Sequence, residues 1–279
     1  MSPEMDTSLC SGEFNIFKNV NFLDLEEAAL HLRRRKHIEV YKMHLKGSCL
    51  WSITFVIVAL SVGESVNVTN YDYDHFVYAQ RWPQSVCACS EGRCRIPEEV
   101  KTWTVHGLWP TLGDSDKPTE CNRSWTFEEE KILDIETQLE KYWTSLEDNG
   151  ENSRISFWKH EWKKHGTCCT DLTYLDSEHK YFSIGLQLNQ KYDLLSILNE
   201  SNIVPSRSRL YKLDDIREAV RSKLGYSPMF ICCSKHKKER VQEILICLDK
   251  KLKLIDCHQA DEQCKKHTLV HYEPLNPYP

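Results

Sequence analysis

The chain has 279 residues, 41% of them hydrophobic, and a formal net charge of −5 at neutral pH. That is enough apolar material to bury a core in one or two domains, and the absence of repeats and low-complexity tracts excludes a solenoid or tail-like organisation. Thirteen cysteines exclude an ordinary cytosolic enzyme and point to an oxidising compartment.

In chain order, residues 1–42 read as an upstream extension, outside the mature protein or disordered. From Gly47 to Gly63 no residue is charged, and LWSITFVIVAL (50–60) is strongly apolar. With Met43-His-Leu-Lys before it and Ser61-Val-Gly63 after it, the stretch 43–63 reads as a signal peptide. The run Arg33-Arg34-Arg35-Lys36 keeps a signal anchor as the alternative. Either way, residues 64–279 form the mature region, expected in the secretory pathway and then secreted or in the lysosomal lumen. Sequons at Asn67, Asn122 and Asn199 offer glycan acceptors there.

HFVYAQRW (75–82) reads as a strand stopped by Pro83, and Cys87, Cys89 and Cys94 follow in a turn-rich stretch. WTVHGLWP (103–110) reads as a short strand into a turn tightened by Gly107 and Pro110. Thr126 and Glu129 have capping-box spacing ahead of a helix carrying Ile132, Ile135, Leu139, Tyr142, Trp143 and Leu146. Taken singly, the histidine and tryptophans of 103–110 are more simply core residues than functional ones.

The segment around which the chain is organised is SFWKHEWKKHGTC (156–168). Trp158, Glu161, Trp162 and His165 fall on one helical stripe, with Ser156 able to cap the start and Gly166 to end it. A carboxylate and an imidazole one turn apart beside two indoles form a face that is costly to bury without a task. The zinc-protease pattern needs two histidines four apart, whereas His160 and His165 are five apart, about 140° around an ideal helix, so no metal is expected. Further on, 184–198 and 215–224 read as amphipathic helices, the second opened by an Asp-x-x-Glu cap and closed by Gly225. MFICC (229–233), EILICL (243–248) and KLKLIDC (252–257) read as strands. No linker divides the mature region. The expected fold is therefore α+β, one disulfide-stabilised domain with a mainly antiparallel central sheet flanked by several helices.

Together, WTVHGLWP and FWKHEWKKHGTC resemble the two active-site signatures of the ribonuclease T2 family of acid endoribonucleases, in its animal, lysosomal or secreted branch. The likeness runs from about Phe76 to Cys264 and includes CNRSW (121–125). It implies a metal-independent, cofactor-free monomer that cleaves single-stranded RNA through a 2′,3′-cyclic phosphate. His165 would be the general base, His106 the general acid, and Glu161 and Lys164 would stabilise the charged phosphate. His160 would contact a phosphate, although the wheel places it off the Glu161/His165 stripe. Trp109 and Trp103 offer faces for base stacking. Some family members carry a purine-reading acidic residue two positions after that tryptophan; here the residue is Thr111. The resemblance further implies the pairs Cys87–Cys94, Cys121–Cys168 and Cys247–Cys257, and Cys264 with Cys232 or Cys233. It leaves Cys89, Cys169 and one of Cys232/Cys233 unassigned. Two rivals are a catalytically silent glycoprotein ligand of the same fold and a secreted metalloenzyme.

The acidic balance runs against the usual basic character of nucleic-acid binders. Residues 64–279 keep 29 of the 36 basic and 34 of the 41 acidic side chains, and nine of the twelve histidines. Protonating those nine carries the net charge to about +4 near pH 5, so RNA binding and cleavage are expected to favour acid.

Overall fold

The computed structural model describes residues 71–276, apart from 116, 148, 149, 151, 259–263, 265 and 266. The expected extension, the signal peptide and Asn67 lie outside the described residues.

Among the described residues seven strands make one sheet: β1 (His75–Arg81), β2 (Thr104–Thr111), β3 (Leu210–Lys212), β4 (Met229–Lys235), β5 (Lys238–Asp249), β6 (Leu254–Ile255) and β7 (Leu269–His271). The main path runs β2-β1-β5-β7-β3, with β4 and β6 also pairing β5. Every ladder is antiparallel except the contact of β5 with β7. The helices are α1 (Pro83–Cys89), α2 (Glu136–Tyr142), α3 (Ser153–Lys164), α4 (Glu178–Lys191), α5 (Leu194–Glu200) and α6 (Leu213–Leu224). The α+β expectation of one disulfide-bonded domain with a mainly antiparallel sheet holds. Among the described residues, no helix is long and apolar enough to cross a membrane.

Several local readings are corrected. The turn expected at Gly107 and Pro110 is instead continuous strand. Pro110 is tolerated because β2 lies at the edge of the sheet and needs no donor on its outer side. Cys87 and Cys89 sit in α1, which Pro83 starts rather than merely ending β1. The Thr126/Glu129 capping box does not form: a 3-10 turn occupies Glu129–Ile135 before α2, and its entry residue, Glu128, makes no side-chain cap. The helix expected over 184–198 is two helices. Asp193 interrupts it because its carboxylate accepts from the N–H groups of Leu195 and Ser196, capping α5. The helix α6 starts earlier than expected and lacks the Asp-x-x-Glu cap, but it does end at Gly225, whose φ of 78° is left-handed. Strands β3 and β7, three residues each, are too short to show an alternation in the sequence.

The main core lies between the sheet and the helices. Trp82, Trp103, Trp143, Trp158 and Trp162 are all under 2% exposed. Each removes roughly 150–250 Å² from water, on the order of 4–6 kcal/mol at about 25 cal/mol/Å². Trp103 is thereby corrected from a stacking face to a core residue: its indole N–H donates to the Tyr272 hydroxyl at 3.1 Å, and no face is left for a base.

Among the described residues five disulfides form: Cys87–Cys94, Cys89–Cys233, Cys121–Cys168, Cys232–Cys264 and Cys247–Cys257. Cys264 therefore takes Cys232, and Cys89 and Cys233, left open above, pair with each other. Cys169 is a buried free thiol.

Candidate active site

The two signature segments meet because α3 is keyed onto β2. The Trp158 indole N–H donates to the Trp143 carbonyl at 2.7 Å, and the Trp143 indole donates to the His106 carbonyl at 3.0 Å. On the other face of this contact, Tyr181 of α4 donates to the Leu108 carbonyl at 3.0 Å.

In β2 a bulge sets the direction of the side chains. Ala79 of β1 faces Gly107 and the next residue, Gln80, faces Val105, so His106 is the extra residue. Strict alternation would put His106 and Trp109, three apart, on opposite faces. With the bulge, Val105 and Leu108 both enter the main core, while His106 and Trp109 share the outer face, their rings 5.0 Å apart.

On α3 the expected stripe is buried throughout, with Trp158, Glu161, Trp162 and His165 exposed by 0%, 2%, 1% and 8%. The two indoles are core; Glu161 and His165 lie where the stripe reaches the cleft. The helix begins at Ser153, so Ser156 lies inside it and caps nothing. At its end, His165 leaves helical geometry and Gly166 enters a 3-10 turn. A methyl at Gly166 would stand 2.2 Å from the Trp162 ring, so close approach rather than a left-handed cap demands glycine there. The bridge Cys121–Cys168 and the Glu120 N–H donating to the Lys164 carbonyl at 2.9 Å tie down this turn.

Glu161 accepts from the Trp109 indole at 3.0 Å, directly over Gly107. A methyl on Gly107 would lie 2.0 Å from Trp109 Nε1 and 2.4 Å from Glu161 Oε2. Trp109 also packs against His165, ring centres 5.4 Å apart. His160 is exposed yet reaches the site, its ring 6.4 Å from that of His165. The helical wheel kept them apart, yet His165, the residue that ends the helix with φ −119°, brings its ring beside that of His160. Ligand atoms of His160, Glu161 and His165 all lie within 4.8 Å of one another. The spacing argument against a metal therefore loses its force, because this grouping has the donor types a cation would need.

A cavity of about 520 Å³ is lined by His106, Trp109, Thr111, His160, Lys164 and His165, among others. A second, of about 360 Å³, is lined by Arg81, Phe157 and Ser156 on its far side, and the two share His106, His160 and Glu161. Thr111 Oγ1 donates to the Trp109 carbonyl at 3.0 Å, so its hydroxyl is already engaged.

Electrostatics divide the titratable groups. Burial, then the charges of Lys164, His160 and His106, push the His165 imidazole down to about 2. Burial raises Glu161, partly offset by His106, the Trp109 N–H, His160 and Arg81. The sequence reading missed Glu243, whose Oε1 lies 3.0 Å from His106 Nδ1. An acidic residue inside an otherwise apolar strand, EILICL, was the available signal.

Comparison with known proteins places the chain in a family. The family described as the Ribonuclease T2 family matches residues 73–257. The chain belongs to the ribonuclease T2 family. Ribonuclease Oy of Magallana gigas is 37% identical over 212 residues, 74% of this chain and 98% of that protein. Ribonuclease T2 of Homo sapiens is 34% identical over 223 residues, 78% of this chain and 84% of that protein. The crystal structure of RNase NT in complex with 5′-AMP superposes with a TM-score of 0.65 at 30% identity, covering 73% of this chain and all of that one. The protein is an enzyme of the endoribonuclease class.

Proposed function

We propose that the mature region, residues 64–279, cleaves single-stranded RNA without a metal, by transphosphorylation to 2′,3′-cyclic phosphate ends and then hydrolysis to 3′-phosphates. The observation that carries this reading is that His106 and His165, from segments far apart in sequence, pack against the same indole and line the same cavity as Glu161 and Lys164. His165 takes the ribose 2′-OH proton as general base, and His106 protonates the leaving 5′ oxygen as general acid; the roles reverse in hydrolysis. Glu161 and Lys164 stabilise the phosphorane, and His160 holds a phosphate oxygen at the junction of the two cavities. These recesses on either side receive the flanking nucleotides, one of them against Trp109. RNase NT, solved with 5′-AMP, supports a nucleotide-sized occupant.

Acid favours the reaction. A base that burial holds down to about 2 stays neutral, and so able to take a proton, at pH 5. The five disulfides among the described residues support passage through the oxidising secretory pathway, toward the lysosome or the exterior. Two of the sequons are glycan acceptors in this reading. Asn199 is exposed at the end of α5, and Asn122 accepts from the Ser124 hydroxyl within its own sequon at 2.6 Å.

The test is incubation of the purified full chain with single-stranded RNA. Cyclic-phosphate ends should form undiminished in excess EDTA, faster at pH 5 than at pH 8. His106→Ala and His165→Ala should each lose about 10²–10⁴-fold in rate. Retained activity in either variant or a rate maximum above pH 8 would overturn the reading. Loss in EDTA would favour a metal at His160, Glu161 and His165 instead.

A further inference from the structure

We infer that Glu243 is the positioning residue for His106: its buried carboxylate accepts from Nδ1, fixes the ring's tautomer and turns Nε2 toward the scissile phosphate. This rests on the ribonuclease reading of the cleft and names a component absent from both signature segments.

Three adjacent strands build the unit. The β1–β5 register sets Arg81 directly opposite Glu243, and the bulge in β2 projects His106 onto the same patch. Glu243 is 5% and Arg81 8% exposed, so neither charge is solvated. The Glu243 Oε1 contact with His106 Nδ1 is 3.0 Å, and among the described residues Oε2 has no hydrogen-bond partner. Arg81 donates through Nη2 to the Thr144 carbonyl at 2.6 Å and lies over Phe157, 4.6 Å from the ring centre. Phe157 stacks on His106, ring centres 6.2 Å apart and planes within 25°. The imidazole is thus held by Phe157 on one side, by Trp109 edge to face, and by a carboxylate at Nδ1. A carboxylate can only accept, so the shared proton sits on Nδ1 and the free nitrogen is Nε2. Burial opposes the charge on Glu243, but the His106 charge and hydrogen bond, with Arg81, more than offset it and hold the carboxyl below its usual range. The other charges facing His106 are Glu161 and His160 from α3 and His165 at its end; Glu147 faces Arg81 from the loop after α2.

A plain structural ion pair between Arg81 and Glu243 would affect stability alone. A positioning role also moves kinetic quantities. In the full chain, Glu243→Gln and Glu243→Ala should lower kcat about 10–100-fold with KM changed less than about threefold. Because the carboxylate stabilises a charged imidazole, the alkaline limb of the rate profile should move about one unit toward lower pH. Adding Glu243→Ala to His106→Ala should cost nothing further, since the two act as a unit. Folded variants with parental kcat and an unmoved alkaline limb would overturn the assignment. Should the variants not fold, histidine ring ¹⁵N spectra of the unaltered protein decide: neutral His106 with its proton on Nε2 refutes the inference, and on Nδ1 supports it. An inactive His106→Ala beside an unaffected Glu243→Ala would sink this inference alone, whereas an active His106→Ala would sink the ribonuclease reading beneath it.

Discussion

His106 and His165 both pack against Trp109, yet their surroundings differ in almost every respect. His106 stands on a strand, half-buried, with a carboxylate on one nitrogen and an aromatic face beside it. His165 stands where a helix gives way to a 3-10 turn, is 8% exposed, and its buried Nδ1 has no partner among the described residues. Its neighbours Lys164, His160 and His106 are all cationic when charged. The first site orients its ring through a carboxylate and the second keeps its ring neutral by burial, a difference in setting that suits an acid and a base built from chemically identical side chains.

The supports differ as well. The strand histidine is located by ladders on β1 and its bulge, whereas the helix histidine depends on the turn that Cys121–Cys168 closes. That bridge spans 47 residues, for which chain entropy gives a contribution of about 4 kcal/mol. Replacing both cysteines by serine should lower the denaturant-extrapolated unfolding free energy by that amount and slow turnover. A loss below about 1 kcal/mol would show that the core indoles alone fix the turn.

Gly107 joins the two regions, since Glu161 of the helix and Trp109 of the strand meet directly above its α-carbon. Gly107→Ala should separate that pair and cost about 10²-fold in kcat, with about 1–3 kcal/mol of stability lost to overpacking. A variant with parental kcat would mean that the Trp109–Glu161 contact does not set the geometry of the carboxylate.

These details show what could be read before folding. The stripe Trp158-Glu161-Trp162-His165 was visible because helical periodicity is local, and all four side chains are buried as a group. His160 could be named as a phosphate contact only through the family resemblance, because an ideal wheel sets it off the Glu161/His165 stripe although its ring stands 6.4 Å from that of His165. Trp103 and Trp109 flank His106 in one short segment, and only the bulge against Ala79 and Gln80 decides that Trp109 faces the cleft while Trp103 enters the core. Glu243 was invisible as a partner for His106 because 137 residues separate them and only strand order brings them together. The pairing of Cys89 with Cys233 was hidden for the same reason, at a separation of 144.

The comparison has a last consequence in acid. His165 in the folded chain titrates at about 2, and in the unfolded chain near the ordinary value of about 6.5. As pH falls below about 6.5 the unfolded state takes up a proton that the folded state refuses, so stability declines through that window. At pH 5 the penalty is about 2 kcal/mol, and it barely depends on how low the folded value lies once that value is well under 5. His165→Gln removes the titration. Between pH 7.5 and pH 5.0 the variant should therefore lose about 2 kcal/mol less unfolding free energy than the parent, measured by urea titration at each pH. Parallel losses would mean that the His165 ring is solvated and protonates freely, which would also remove the reason for expecting it to act as a base in acid. The bridge beside it contributes roughly twice what the buried ring forfeits at pH 5, so the turn that keeps this base neutral also carries the covalent link that holds it in place.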